Sequence, residues 1–462
     1  MRRRLAVAAL AAALLPALLT TSGLTAAAGA TAPAPAARHL EGALPDGGTW
    51  VADVPARWNG TLVLFSHGFG ALVAIDAPDP GVQRALLDRG YALAGTSYDP
   101  DGPTWALESA TRDQFAGLAA VERVLSTTGS RPRLTLALGS SMGGLVSGQE
   151  AERARGRIDG AVSICGLMAG GIDLNNYQLD GEHALARLLL PGQDVKLVRY
   201  ASPAEGQAAA AQLSAAATAA QATPRGRARV ALGTALLNMP TWSPEQERPP
   251  GRHDAAGLAK AQYDWLLRTL PFVMPGRHSI EQSAGGNASW NAGVDYARLL
   301  ARSPYRDQVR TLYRRAGLDL HADLADLTRS ARVRADRYAL ADLARSSTLT
   351  GRLEVPHLTM HTLHDQLAPV EFEHRYAEQV RAAGDAPLLR QAFVNRRGHC
   401  VFATSEIVAA LEAVAHRAAT GRWGAGATTR GLQAAALATG LDDAPAFVDH
   451  RPGPLVSHRG RR

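Results

Sequence analysis

The chain has 462 residues, 46% of them apolar and 20% charged, a globular composition long enough for one large domain or two ordinary ones. Aromatic residues make up only 5%, too few for a broad stacking platform for single-stranded nucleic acid. The formal net charge of +7 is carried almost wholly by scattered Arg, with Lys only at Lys196 and Lys260, so it reads as solubility and no nucleic-acid partner is expected.

Arg2-Arg3-Arg4, an apolar run from Leu5 to Leu19 and the small residues Ala28-Gly29-Ala30 read as a secretory signal peptide over residues 1–30. Its apolar core of about 15 residues is shorter than the roughly 20 that span a bilayer, so no stable membrane anchor is expected and the mature protein should be secreted. In that oxidising setting Cys165 and Cys400 fit one bridge or two free thiols, and two cysteines alone cannot make a structural zinc site. Residues 31–48 open with Pro33 and Pro35 and read as an extended linker. Strands are predicted at 49–54, 61–66, 91–97, 133–139 and 160–164, with helices at 82–89, 111–126 and 143–155 between them. Short apolar runs alternating with helices mean βαβ units and a mostly parallel α/β sheet. From 166 to 350 the strand signal disappears and helical stretches follow (205–222, 255–270, 294–302, 336–345), too long a block for a loop. It reads as a helical subdomain inserted between two strands. Strands resume at 355–361 and 388–394, and a helix over 405–420 closes the core. The core therefore comprises 49–165 and 351–421. Residues 422–462 lose periodicity and are expected to form a partly disordered tail.

The chemistry concentrates where strands end. Leu134 to Gly144 is a strand running into Gly139-Ser140-Ser141-Met142-Gly143 and then a helix, the context in which Gly-x-Ser-x-Gly lifts a serine hydroxyl above the sheet on a strained turn. A serine needs a base, and the base needs an acid to orient it. Asp365 follows the 355–361 strand at the carboxyl edge, where open α/β sheets bind ligands. His399, preceded by Gly398, follows the last core strand. Each has a plainer reading: Ser141 as a small turn residue, His399 as a hydrogen-bonded histidine at a helix start, Asp365 as a helix cap. His357, His361 and His364 beside Asp365 invite a metal reading, but residues four apart on a strand lie roughly 13 Å apart, so no metal is expected.

With His67-Gly68-Phe69-Gly70, the serine turn, the Asp365 turn and Gly398-His399, residues 50–165 and 353–420 resemble the α/β-hydrolase family, whose chain order is Ser, Asp, His. The resemblance implies Ser141 as nucleophile, His399 as general base and then acid, and Asp365 as the group that holds the imidazole's tautomer. It implies an oxyanion hole from the backbone N–H groups of Met142 and Phe69. Tannase- and feruloyl-esterase-type hydrolases can join a cysteine before the nucleophile to one after the histidine. Here Ser140 occupies the first position, so that resemblance is partial, and Cys400 is expected to bridge to Cys165 and pin the histidine loop.

The inserted block is expected to cover the site as a cap. Trp242, Trp265, Phe272 and Trp290 would line a pocket or form the subdomain's own core. Residues 285–291 read as a hinge, a substrate loop or an interhelical turn. Tyr98, Asp99 and Trp105 are candidate wall residues, and His67 is a candidate for the pocket or for loop shaping. No phosphate or dinucleotide fingerprint is present, so no cofactor is expected. The expected activity is hydrolysis of a small-molecule or polymer carboxylic ester. A peptidase or amidase of the same fold is the alternative, and a catalytically idle binding protein is the alternative from another class.

Overall fold

A computed structural model describes residues 37–459. The signal peptide expected over 1–30 lies outside the described residues. β1 (Arg38–Ala43) and β2 (Thr49–Val54) pair antiparallel, and β3 (Thr61–Ser66), α1 (Pro80–Asp88), β4 (Ala92–Thr96), α2 (Ala110–Thr127), β5 (Leu134–Ser140), α3 (Met142–Glu152) and β6 (Gly160–Ile164) follow. Helices α4 (Gly170–Leu189), α5 (Pro203–Ala220), α6 (Pro224–Leu236), α7 (Ala255–Ala284), α8 (Tyr296–Arg302), α9 (Arg306–Arg315), α10 (Leu320–Ser330) and α11 (Arg337–Ser347) then intervene. The chain re-enters the sheet at β7 (His357–His364), α12 (Glu371–Ala383), β8 (Leu389–Arg397), α13 (Thr404–Thr420), α14 (Thr429–Ala438) and β9 (Phe447–Val448).

The strands lie in the order β1-β2-β4-β3-β5-β6-β7-β8-β9, parallel from β4 to β8 and antiparallel at both edges. Apolar runs make the inner strands because both faces are covered. On β3, Leu62 and Leu64 pack toward α2 and α3, while Val63 and Phe65 pack toward α1 and α13. This is the expected mostly parallel α/β sheet, with helices on both faces.

Three expectations need correction. The linker expected over 31–48 contains β1, whose alternating pattern lays Leu40 against the core, and the Pro45-Asp46-Gly47-Gly48 turn closes a hairpin through the Leu44 N–H to Gly48 carbonyl bond of 2.7 Å. The tail over 422–462 is ordered across its described part: α14 covers the far face with Leu432, β9 extends the sheet, and Leu455, Val456 and Ser457 are buried. The helix expected to stop at 270 continues through Pro271 and Pro275 to Ala284, because surrounding helices hold α7 after proline has removed its donors. Gly285, in the left-handed region at φ 69°, then ends α7, its N–H and that of Gly286 bonding to Gln282 and Glu281 carbonyls. Residues 285–291 are thus a helix terminus whose side chains serve the backbone: Asn287 reaches Arg334 and Asn291 reaches Val333.

Candidate active site

Ser141 sits between β5 and α3 with φ 57° and ψ −120°, a conformation that turns the chain sharply and presents the hydroxyl at the carboxyl edge of the sheet. Two glycines make the turn sterically feasible. A Cβ on Gly139 would lie 1.9 Å from the Gly143 carbonyl oxygen, and one on Gly143 would lie 1.9 Å from that of Ser66.

β8 ends at Arg397, and Gly398, at φ 106°, swings the next residue back over the sheet, anchored by its N–H to the His364 carbonyl (2.9 Å) and by Thr362 Oγ1 to its own carbonyl (2.8 Å). His399 thereby places Nε2 2.7 Å from Ser141 Oγ and Nδ1 2.7 Å from Asp365 Oδ2. Cys400 is bonded to Cys165 at the end of β6, with Cα atoms 5.2 Å apart.

Asp365 is fully buried and uses both carboxylate oxygens. Oδ1 accepts the N–H groups of Leu367 (2.8 Å) and Ala368 (2.9 Å), while Oδ2 faces His399. The capping reading and the histidine-orienting reading therefore both describe it, one on each oxygen. Burial alone would raise its pKa, but His399 and, behind it, His361 hold it well below the usual carboxylate range.

Met142 opens α3, so its N–H belongs to the helix turn that has no intrahelical acceptor and lies one residue beyond Ser141. The loop after β3 runs against the serine: a Cβ on Gly68 would lie 3.3 Å from Ser141 Cβ, which brings the neighbouring Phe69 to the same place.

Ser141 and His399 open into a pocket with about 460 Å³ of empty space, partly open to solvent. Its sheet-side wall is Phe69, Trp105, Leu167 and Leu367. Its opposite wall comes from the inserted helices, with Leu174 and Gln178 on α4 and Phe272, Val273, Gly276 and Ile280 on α7. Phe69 and Phe272 meet edge to face, ring centroids 5.9 Å apart. Among the described residues that line it, His399 alone has an ionisable side chain in the neutral pH range.

Of the expected wall residues, Phe272 and Trp105 line the pocket, and the others do not. His67 and Tyr98 stack behind the loop with centroids 4.1 Å apart, and the Tyr98 hydroxyl donates to the His67 carbonyl (2.9 Å). Both are buried there, and burial lowers the His67 pKa, so His67 shapes the loop. Asp99 borders a neighbouring cavity. Trp290 lies under the Arg459 guanidinium (5.4 Å), Trp242 packs against His364 and Arg397, and Trp265 sends its ring N–H to the Trp242 carbonyl (2.8 Å). Of the three neighbouring histidines, His357 is bonded to Ser163 and Tyr376, His361 lies between Asp365 and Glu373, and His364 faces Trp242.

The α4 and α7 wall residues escape a sequence reading because they become neighbours of Ser141 only through tertiary packing. The one local signal is the run of buried polar residues on α4, from Asn175 and Asn176 to Gln178, Asp180 and Glu182, unusual for a helix interior.

No protein-family model matches the chain. It is 30% identical over 406 residues to the o-phthalyl amidase of Xanthobacter agilis, across 83% of this chain and 87% of that protein. Among solved structures, feruloyl esterase B from Aspergillus oryzae overlaps at a TM-score of 0.36 and 12% identity, over 79% of this chain and 73% of that one. An arylesterase gives a TM-score of 0.36 at 12% identity, over 88% and 84%. Neither structural overlap bears on what this chain cleaves.

Proposed function

We propose that this chain, which belongs to one family with the o-phthalyl amidase of Xanthobacter agilis, is a secreted serine hydrolase of the α/β-hydrolase superfamily that cleaves carboxylic esters through an acyl-enzyme on Ser141. The observation that carries this reading is the unbroken run from Ser141 Oγ to His399 Nε2 and from His399 Nδ1 to Asp365 Oδ2, 2.7 Å at each step.

His399 takes the Ser141 proton as Oγ attacks the acyl carbonyl carbon. The N–H groups of Met142 and Phe69 receive the developing oxyanion, each worth about 3 kcal/mol at the transition state. The protonated imidazole then gives its proton to the departing alkoxide, leaving the acyl group on Ser141. Water, deprotonated by the same nitrogen, attacks the acyl-enzyme and releases the acid. Asp365 keeps Nδ1 protonated, so that Nε2 is the nitrogen free to accept.

The apolar lining favours an uncharged acyl group, aromatic or branched, because a carboxylate there would meet no cation apart from His399. Helices α4 and α7 act as a cap over that group. The Cys165–Cys400 bridge and the absence, among the described residues, of a helix long and apolar enough to cross a membrane are consistent with export.

A second reading, amide hydrolysis, is favoured by the 30% identity to an amidase. The chemistry is the same, with an amine as the group that must be protonated to leave. Both are tested by one experiment: kcat/KM on p-nitrophenyl esters and p-nitroanilides of the same neutral aromatic acyl group, with labelling by a fluorophosphonate. Turnover of the esters, with labelling and turnover lost in Ser141→Ala, is the expected result. Faster anilide than ester turnover selects the amide reading. Turnover retained by Ser141→Ala overturns Ser141 as the nucleophile, and neither labelling nor turnover in the native protein leaves the idle binding fold.

A further inference from the structure

Behind Asp365, away from the pocket, His361 lies on β7 with no exposed surface, between two carboxylates that are themselves fully buried. Its Nε2 is 2.7 Å from the Ala368 carbonyl, an acceptor only, and 3.5 Å from Asp365 Oδ2, so Nε2 must carry a proton. Its Nδ1 is 3.1 Å from Glu373 Oε1. Glu373 Oε2 is already occupied, accepting from Thr359 Oγ1 and from Gln391 Nε2. An ionised Glu373 can only accept at Oε1, which puts the second ring proton on Nδ1. Among the described residues no Lys or Arg is bonded to either buried carboxylate, and one imidazolium between them leaves a net charge of −1 in place of −2.

We propose that His361, as an imidazolium bridging Asp365 and Glu373, is a positioning residue for the reaction: it fixes the Asp365 carboxylate as an anion and, as a like charge on the far side of that carboxylate, restrains His399 from taking a proton from solvent before substrate arrives. The inference rests on the triad reading above. It extends the line of contacts at Ser141 by two residues, through His361 to Glu373, and accounts for two side chains the reaction does not otherwise use. Asp365 keeps His399 oriented whether or not His361 is charged. What His361 adds is electrostatic: its positive charge, 3.5 Å from Asp365 Oδ2, offsets part of the negative charge that Asp365 presents to His399.

Other ionisable groups near His361 are accounted for from each packed element. Glu371 on α12 is also buried, and burial pushes its carboxyl up to about 7 against the opposing charge of His361. His357, on the same strand, is held neutral by burial, its pKa lowered to about 3. Tyr177 on α4 donates to the Leu367 carbonyl (2.7 Å) and Tyr376 on α12 is bonded to His357, both kept protonated by burial.

The test is the pH dependence of kcat/KM, from about pH 5 to pH 10, for the native enzyme, His361→Gln, Glu373→Gln and Ser141→Ala, on the best p-nitrophenyl ester. Glu373→Gln is the gentler variant, since its amide can still accept from Thr359 and Gln391 and offer N–H to Nδ1 of a neutral ring. His361→Gln should shift the acid limb to higher pH by about one unit, the effect of removing a nearby like charge, and Glu373→Gln should shift it in the same direction by less, because that variant also removes the anion behind the ring. KM should hardly change. An acid limb that stays in place in Glu373→Gln, whether or not the plateau falls, overturns the electrostatic role, and this holds even if His361→Gln fails to fold. Ser141→Ala separates the two levels: inactive Ser141→Ala with an unmoved limb removes only this inference, whereas active Ser141→Ala removes the triad reading and the inference with it.

Discussion

His361 also links the site to the stability of the molecule. Burial alone would lower its pKa, but Asp365 and Glu373 push it up from 6.5 to about 10. A group whose folded value lies above its unfolded one contributes stability that is fully present below the unfolded value and lost as pH rises through the folded value. The window therefore runs from about pH 6.5 to about pH 10. The Tm difference between the native protein and His361→Gln is expected to be largest near the lower end of that window and to narrow toward the upper end. A difference that is flat or widening across the window would mean that His361 is neutral in the fold. The comparison is made as a difference because other buried acids, Glu150 among them, pushed up to about 8 by burial, titrate over the same range in both proteins.

At the scale of elements, the Cys165–Cys400 bond ties the end of β6, where the inserted helices begin, to the loop that carries His399. It closes 235 residues, and removing such a bond costs about 2–5 kcal/mol, most of it expected from the unfolded chain's regained freedom. Cys165→Ala with Cys400→Ala should lower the unfolding free energy by that amount and lower kcat as His399 loses its neighbour's tether. Unchanged denaturation midpoint and unchanged kcat in the double variant would show that the loop holds its place without the bond. The parts of the site that a reader of the sequence can find are those made by consecutive residues at strand ends. Gly139 to Gly143, the Asp365 turn and Gly398-His399 carry their geometry locally, in glycines and in the switch from a period of 2 to one of 3.6. What escapes such reading depends on distant partners. α7 crosses Pro271 and Pro275 only because α5 and α6 pack along it, β1 counts as a strand only once β2 lies beside it, and α14 buries Leu432 and Ala436 only because α13 lies against it.

The whole molecule is closed by its last described residues. Arg459 reaches the buried carboxylate of Asp180 on α4 and the Trp290 carbonyl, His458 bonds to Asp173 (2.8 Å), and Arg302 holds the Val456 carbonyl. Asp180 also accepts from the Tyr296 hydroxyl (3.0 Å), so α4, α8 and the final segment meet at one carboxylate. Removing residues 453–462 leaves Asp180 buried without its cation, a loss of about 3 kcal/mol or more. Faster amide hydrogen exchange along α4, with exchange in β5 and β6 unaltered, is the expected signature. Equal protection in the truncated and full-length proteins would show that the segment merely lies on the surface. A last consequence follows from the way Phe272, Val273, Gly276 and Ile280 all sit on α7 while the reacting groups hang from the sheet. The α7 share of the lining lies on a piece of chain separate from the groups that hang from the sheet, so an engineer who wants a different guest could randomise those four codons alone and screen for new tastes with the serine turn and the histidine loop left intact.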